Sequence, residues 1–544
     1  MKYGAVPKGA EWVSRGYFVN QMNDTGFGYL EVETNVEADS EVQAYHAGFL
    51  EGYLTSHLIN ARWFNMVYPV LLDNPESFKL AVNFVRSNSK WVSEKSKKLP
   101  NNPFWYQVKL FYLQVNGLLN GYLKTSTLLK LNWDHILVLN ILLEIEDVMK
   151  MVTKSNSFNN EHCSALIKIM HNNSDIYFGH NTWTHYADML RILKKYKLNY
   201  ATSGSDPTLV PGREISMSSY PGAVLSTDDY YIVASSGIAV METTNQVYNA
   251  SLFKGSTPQG LVLESIRTMV ANRLAVDGKS WHETFKKYNS GTYNNQWMVL
   301  DYNTFVPGTK LGPGVLWVGE QMPNFYHFED VTEVMVRNGY WASYNVPYFK
   351  EVFEMSGYDE MKRKNGTWFS HSETPRAKIF ARDHGKVTDM DTFMKLLRSN
   401  DYRNDPYATC NCTPPYSAAG AVAGRNDLNP YDGKGPQATH RLYGAIDAKI
   451  TNLSMFRRYA FSSVAGPTRG TNDDLPVFKW SASGYDPYSI HFMQPDEFDF
   501  AAVTTEWLFS DDNGFNRKLN NQAKQKHLFP GYDNTIPKMG LPSL

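Results

Sequence analysis

Cys163 stands where a polar stretch without periodicity, TKSNSFNNEH (153–162), gives way to CSALIKIMHNNSDIYFGHNTW (163–183). That junction of exposed loop and first strand is the placement an N-terminal nucleophile requires. In an enzyme of that type the chain is cut before the Cys, here between His162 and Cys163, and the freed α-amine becomes the base for the adjacent thiol. An α-amine titrates at about 8, so it accepts a proton at mild pH without help from a distant histidine. The ordinary reading of a lone strand cysteine is a small apolar core residue, and spacing alone leaves both readings standing. A metal reading based on His180 and His185 is weak, because their five-residue spacing lacks the carboxylates of H-E-x-x-H.

The elements that must position Cys163 are legible on both sides of it. Residues 40–150 read as helical: AYHAGFLEGYLTSHLI (44–59) repeats small and apolar residues at three and four, with Gly48 and Gly52 allowing close packing. WDHILVLNILLEIEDVMKMV (133–152) places Trp133, Ile136, Leu137, Leu143 and Val148 broadly on one helical face. After Cys163, two β-prone runs flank His171-Asn172-Asn173-Ser174, a good hairpin loop. REISMSSY, a Pro221-Gly222 turn, AVLS, a Thr227-Asp228-Asp229 turn, YYIVA and GIAVMETT continue as a mostly antiparallel meander. QWMVLDYN (296–303) and VLWVGEQM (315–322) are further strands, and Thr388 with Asp391 caps the helix DMDTFMKLLRSN. Beyond about residue 400 the chain is loop-rich, and it contains no internal repeat.

Composition narrows the function classes. The 544 residues are 42% hydrophobic, enough for a large buried core. Fifty-three basic against fifty-four acidic residues leave a net charge of −1, a balance that gives no support to nucleic-acid binding, which needs a basic surface. No run of about 18 apolar residues exists to span a bilayer; the richest stretch, Ile136 to Ile145, is broken by Asn140 and Glu144. The start, MKYGAVPKGAEW, lacks the apolar core of a secretory signal. With 34 Tyr, 29 Phe and 13 Trp, the chain has rings enough to line an apolar groove or stack on sugars.

The segments HCSALIK, GHNTW, METTNQVYN, YWASYNVPYFKEV, PRAKIFARDHGKV, NDYRNDPYA and GRNDLNP, in this order, resemble the phospholipase B-like family, as do GYLEVETN and AGFLEGYLT near the start. The resemblance runs from about residue 26 to about 510. It implies an α/β fold, the N-terminal-nucleophile hydrolase αββα four-layer sandwich, with an added mainly helical N-terminal segment. It implies cleavage before Cys163 into residues 1–162, ending in the loop 153–162, and residues 163–544, the two remaining one compact unit. The roles it implies are Cys163 as nucleophile, His180 and Trp183 beside it, Thr244 on the substrate carbonyl or the amine, Asn345 as oxyanion donor, and Arg376 as fixed positive charge near the thiolate. No cofactor and no metal are implied.

The family name implies an acyl hydrolase that removes fatty acyl chains from phospholipids in a lysosomal or secreted setting, touching membrane surfaces transiently and having no nucleic-acid partner. The chemistry serves an N-acyl amide or peptide amidase equally well, and the aromatic excess also fits a catalytically silent lipid- or glycan-binding protein whose cleavage is only maturation. Sequons stand at Asn23, Asn172, Asn249, Asn365, Asn411 and Asn452. Cys410 and Cys412 fall where relatives tend to have a bridged pair; with one residue between them a bridge would be strained, and a reduced pair is the alternative. Phe158, the one apolar residue of 153–162 apart from its flanks, either plugs the acyl slot before cleavage or packs on the helix ending near Val152.

Overall fold

The strand Ile238–Thr244 shows how the core is divided. Successive strand side chains point to opposite faces. Ile238 and Val240 accordingly enter an apolar cluster shared with helices, whereas Ala239 and Met241 enter a different cluster shared with a second sheet. The computed structural model describes residues 12–153, 163–484 and 489–509. Among these, nine strands form one sheet, in the order Ser14–Gln21, Phe27–Thr34, Arg191–Lys197, Glu214–Ser219, Tyr230–Val233, Ile238–Thr244, Asn295–Asp301, Leu316–Met322, Phe325–Asp330. Every neighbouring pair is antiparallel except Phe27–Thr34 with Arg191–Lys197, which is parallel. A six-stranded antiparallel sheet runs Tyr340–Ser343, Ser164–Ile169, Ile176–Asn181, Asp447–Thr451, Ser462–Ala465, Val503–Thr504.

The apolar side chains fall into three layers of contact. Between the sheets, Leu193, Tyr230, Met241, Met298 and Leu316 of the larger sheet meet Ala165, Ile167, Ile176 and Phe178 of the smaller one. On the far side of the larger sheet, Ile192, Met217, Tyr231 and Val240 meet helices that include Ser40–Arg62, Pro103–Thr125 and Glu264–Leu274. On the far side of the smaller sheet, Leu166, Ala448 and Ile450 meet Ile379 and Phe380 of Pro375–Asp383 and Phe393 and Leu397 of Met390–Leu397. No helix among the described residues is long and apolar enough to cross a membrane.

Three local expectations are revised, two of them for one reason. The stretch 133–152 is two helices, Trp133–Asn140 and Leu142–Thr153. AVLS (223–226) is not a strand. Both follow from Asn140, whose amide donates to the Gly222 carbonyl at 2.8 Å and accepts from Val224 N at 2.8 Å. A side chain thus supplies the loop with the hydrogen bonds a strand neighbour would otherwise give. The cap near 390 is Asp389 rather than Thr388, with Asp389 and Thr392 bonding reciprocally. The mainly helical N-terminal segment also adds two strands to the larger sheet. Cys410 and Cys412 are paired, which leaves Cys163 as the free cysteine.

Candidate active site

Cys163 sits one residue before Ser164–Ile169, buried, with φ 75°. A left-handed backbone is uncommon for a non-glycine residue and is held here by its neighbours. Arg376 donates from Nη1 to the Cys163 carbonyl at 2.7 Å, and its guanidinium lies 4.7 Å from the centre of the Trp183 ring. The carboxamide oxygen of Asn181 accepts from Ser164 N and from Trp183 Nε1, each at 3.0 Å. One side chain therefore ties the start of Ser164–Ile169 to the indole beside it. Trp183 does not end the strand Ile176–Asn181; it opens a separate short strand, Trp183–His185, paired with Tyr443–Ala445.

His180 lies on Ile176–Asn181 opposite Ala165, and its Nε2 is 3.0 Å from the Glu242 carbonyl. A carbonyl only accepts, so Nε2 carries the hydrogen and Nδ1 is a bare lone pair. Nδ1 has no partner among the described residues, and neither does Glu242 Oε2. Glu242 Oε1 accepts from the Tyr293 hydroxyl at 2.9 Å. Ligating atoms of Cys163, His180 and Glu242 all lie within 4.8 Å of one another. Burial, reinforced by Glu242, pushes the Cys163 thiol well up, although the Trp183 main-chain N–H and Lys449 favour the thiolate. Burial, then Asp229, pushes Glu242 up. Burial, then Lys449, lowers His180 to about 3. Burial thus favours the uncharged form of each of the three side chains. The rival pairing of His180 with His185 is not what the fold makes: His185 faces the Tyr443 ring at 5.2 Å, on a different strand.

A buried ionic quartet underlies this cluster. Arg191 reaches Asp447 at 2.8 Å and also bonds Asp228, while Lys449 reaches both Asp228 and Asp447 at 2.9 Å. Two cations thus balance two anions away from water. Burial alone would raise Asp228, but Arg191 and Lys449 override it and hold the carboxyl below its usual range. Thr182 joins the quartet to the site, its N–H donating to Asp447 at 3.0 Å and its hydroxyl to Asp228 at 2.7 Å.

Cys163, Thr182, Trp183 and Asp228 line a small inner cavity. It shares Leu143, Thr184 and Tyr293 with a larger outer cleft, whose apolar wall includes Met66, Val70, Leu142, Ile145 and Val247. Thr244 also lines the outer cleft, and its hydroxyl has no partner among the described residues. Asn345, buried with φ 69°, donates from Nδ2 to the Thr244 carbonyl at 2.8 Å, and its own carbonyl accepts from Tyr358. The structure therefore places Cys163 and Trp183 on the inner cavity, brings His180 and Arg376 to Cys163, and holds Thr244 and Asn345 to each other beside the outer cleft. His162 and Phe158 lie outside the described residues. Glu242, Tyr293, Asp228 and Lys449 escaped the sequence reading. The available signal was a charged residue inside an apolar β-run, Glu242 in IAVMETT and Lys449 in DAKIT, since a charge there must have partners.

The phospholipase B family model matches residues 14–505. The chain belongs to the phospholipase B family. It is 38% identical over 524 residues to a phospholipase B-like 2 protein of Rattus norvegicus, covering 93% of this chain and 88% of the relative. It is 39% identical over 514 residues to a phospholipase B-like 1 protein of Caenorhabditis elegans, covering 92% and 88%. It is 35% identical over 516 residues to phospholipase B-like protein C of Dictyostelium discoideum, covering 90% and 87%. The phospholipase B match takes in Cys163, the quartet and both cavities.

Proposed function

We propose that the chain is an acyl hydrolase of the N-terminal-nucleophile type, cut before Cys163 and releasing fatty acyl chains from phospholipids. The observation that carries the reading is Cys163 on a cavity that adjoins, through Leu143, Thr184 and Tyr293, a cleft walled by Met66, Val70, Leu142, Ile145 and Val247. An apolar wall accepts an acyl chain and brings its carbonyl toward the sulfur. The layer order of helices, larger sheet, smaller sheet and helices supports the four-layer sandwich of such enzymes.

Cleavage turns the Cys163 amide into an amine on the same residue, one that takes the thiol proton. Sγ then bonds the acyl carbon, the ester C–O bond breaks, and the proton passes to the departing alcohol. Water cleaves the thioester, releasing the fatty acid and the thiol. Asn345 supplies a side-chain N–H to the oxyanion, Arg376 fixes the Cys163 main chain, and His180 and Trp183 wall the sulfur. A secreted or lysosomal setting belongs to the same proposal, supported by the Cys410–Cys412 pairing and the exposed sequons at Asn23, Asn172, Asn365 and Asn411.

The test is fatty-acid release from mixed phospholipid vesicles, with N-acyl amides assayed in parallel. Cut wild type releases fatty acid and Cys163→Ala releases none. Amide turnover without ester turnover would move the substrate class, and an active Cys163→Ala would refute the nucleophile.

A further inference from the structure

Cys163, His180 and Glu242 offer a thiol, an imidazole and a carboxylate within 4.8 Å of one another, all buried. These are the three ligand types that zinc takes. Two of them present an atom that nothing among the described residues satisfies, His180 Nδ1 and Glu242 Oε2. Unsatisfied polar atoms in a dry interior are costly, and two converging beside a thiol call for an occupant. We infer that Cys163, His180 and Glu242 form a binding site for one Zn²⁺ ion.

The surroundings are already arranged for it. The Glu242 carbonyl holds the His180 Nε2 hydrogen at 3.0 Å, which fixes the tautomer that leaves Nδ1 free to ligate. The Tyr293 hydroxyl holds Oε1 of Glu242 at 2.9 Å and leaves Oε2 for the ion. Charge balances as well. The neighbouring cations Arg191 and Lys449 are matched by Asp228 and Asp447, so the quartet neither supplies nor demands net charge. Zn²⁺ displaces the thiol proton of Cys163 and the carboxyl proton of Glu242 to solvent. Thiolate, carboxylate, neutral imidazole and Zn²⁺ then sum to zero. With bonds of about 2.0–2.3 Å, ligands around one Zn²⁺ sit roughly 3.5 Å apart, which side-chain shifts on the order of 1 Å achieve from the present spacing. The inner cavity borders Cys163, and the shared Leu143, Thr184 and Tyr293 give the ion a route from the outer cleft.

A sulfur bound to zinc cannot attack a carbonyl. The ion therefore holds Cys163 inert, and removing it frees the thiol. The binding site stands whether or not Cys163 is the nucleophile of the proposed reaction.

The test titrates the full-length wild-type chain with Co²⁺, whose thiolate complex absorbs by charge transfer. The expected result is one equivalent bound, with a band that stoichiometric Zn²⁺ abolishes and that Cys163→Ala lacks. Glu242→Gln and His180→Gln each weaken Zn²⁺ binding about 10-fold or more, while His185→Ala keeps the band. Wild type that shows no band in excess Co²⁺ overturns the site, as does binding unchanged in both Glu242→Gln and His180→Gln. The wild-type reading needs no variant to fold, and fatty-acid release measured on the same metal-free sample judges the hydrolase reading separately.

Discussion

Asn345 combines a left-handed backbone at φ 69° with an amide already engaged on the Thr244 carbonyl, so two effects must be separated when it is changed. Asn345→Ala is expected to lower kcat about 10²–10³-fold, the usual cost of one oxyanion donor. Asn345→Gly removes the same amide without the cost of a Cβ at positive φ, and steady-state kinetics should show a comparable loss. A normal rate in the glycine variant would make the amide structural. The quartet makes a second, energetic prediction. Lys449→Met leaves Asp228 and Asp447 sharing Arg191 alone, and urea unfolding should show a loss of about 3–5 kcal/mol, the cost of breaking a buried ion pair. Adding Asp228→Asn should restore part of it. The strand that follows Cys163 was legible in the sequence because a polar loop met a β-prone run there. Glu242 and Lys449 were not, because a one-dimensional reading shows a charge in a strand without showing the charge that faces it.

The helices Ser40–Arg62 and Pro103–Thr125 cross backbone to backbone over glycines from both partners. A Cβ at Gly48 or Gly52 would collide with the carbonyls of Gln114 or Leu118, and one at Gly117 or Gly121 with those of Tyr45 or Phe49. Main-chain atoms cannot swing aside as a side-chain tip can. Gly52→Ala is therefore expected to cost about 1–3 kcal/mol or more in chemical denaturation, whereas Gly312→Ala, where a Cβ meets open space, stays within about 0.5 kcal/mol. Equal effects would mean the helices are free to separate. The spacing of Gly48 and Gly52 announced this contact from one side only; the partner glycines declare themselves once the helices are placed. In the same way Asn140 was legible as a break in hydropathy, while its partners Gly222 and Val224, more than eighty residues away, set the helix break itself.

At the scale of the whole molecule, the parallel pairing of Phe27–Thr34 with Arg191–Lys197 puts strands from both sides of residue 163 into one sheet. Sequence spacing gives no sign of a partner so far along the chain, although the hairpins of the meander were plain from their turns. The two pieces should therefore co-elute under native conditions after cleavage and separate only on denaturation. Buried titrating groups set a pH optimum for stability. Burial lowers His135 and His371 to about 4 and His180 and His282 to about 3, so the unfolded chain takes up protons first as pH falls below about 6.5, and stability drops through that range. Burial raises Asp229 to about 8 and Glu320 to about 7, so the unfolded chain sheds protons first as pH rises above about 4, and stability drops toward pH 8. Melting temperature should peak between about pH 4 and 6.5, and Asp229→Asn should flatten the alkaline limb; a Tm still climbing from pH 6.5 to 8.5 would refute this balance. The central claim is that Cys163 becomes the N-terminal nucleophile of this chain, and N-terminal sequencing of the purified chain tests it most directly. Wild type should yield a second terminus reading Cys-Ser-Ala-Leu-Ile, and Cys163→Ala should remain one uncut chain; cleavage of the alanine variant at the same bond would contradict the account.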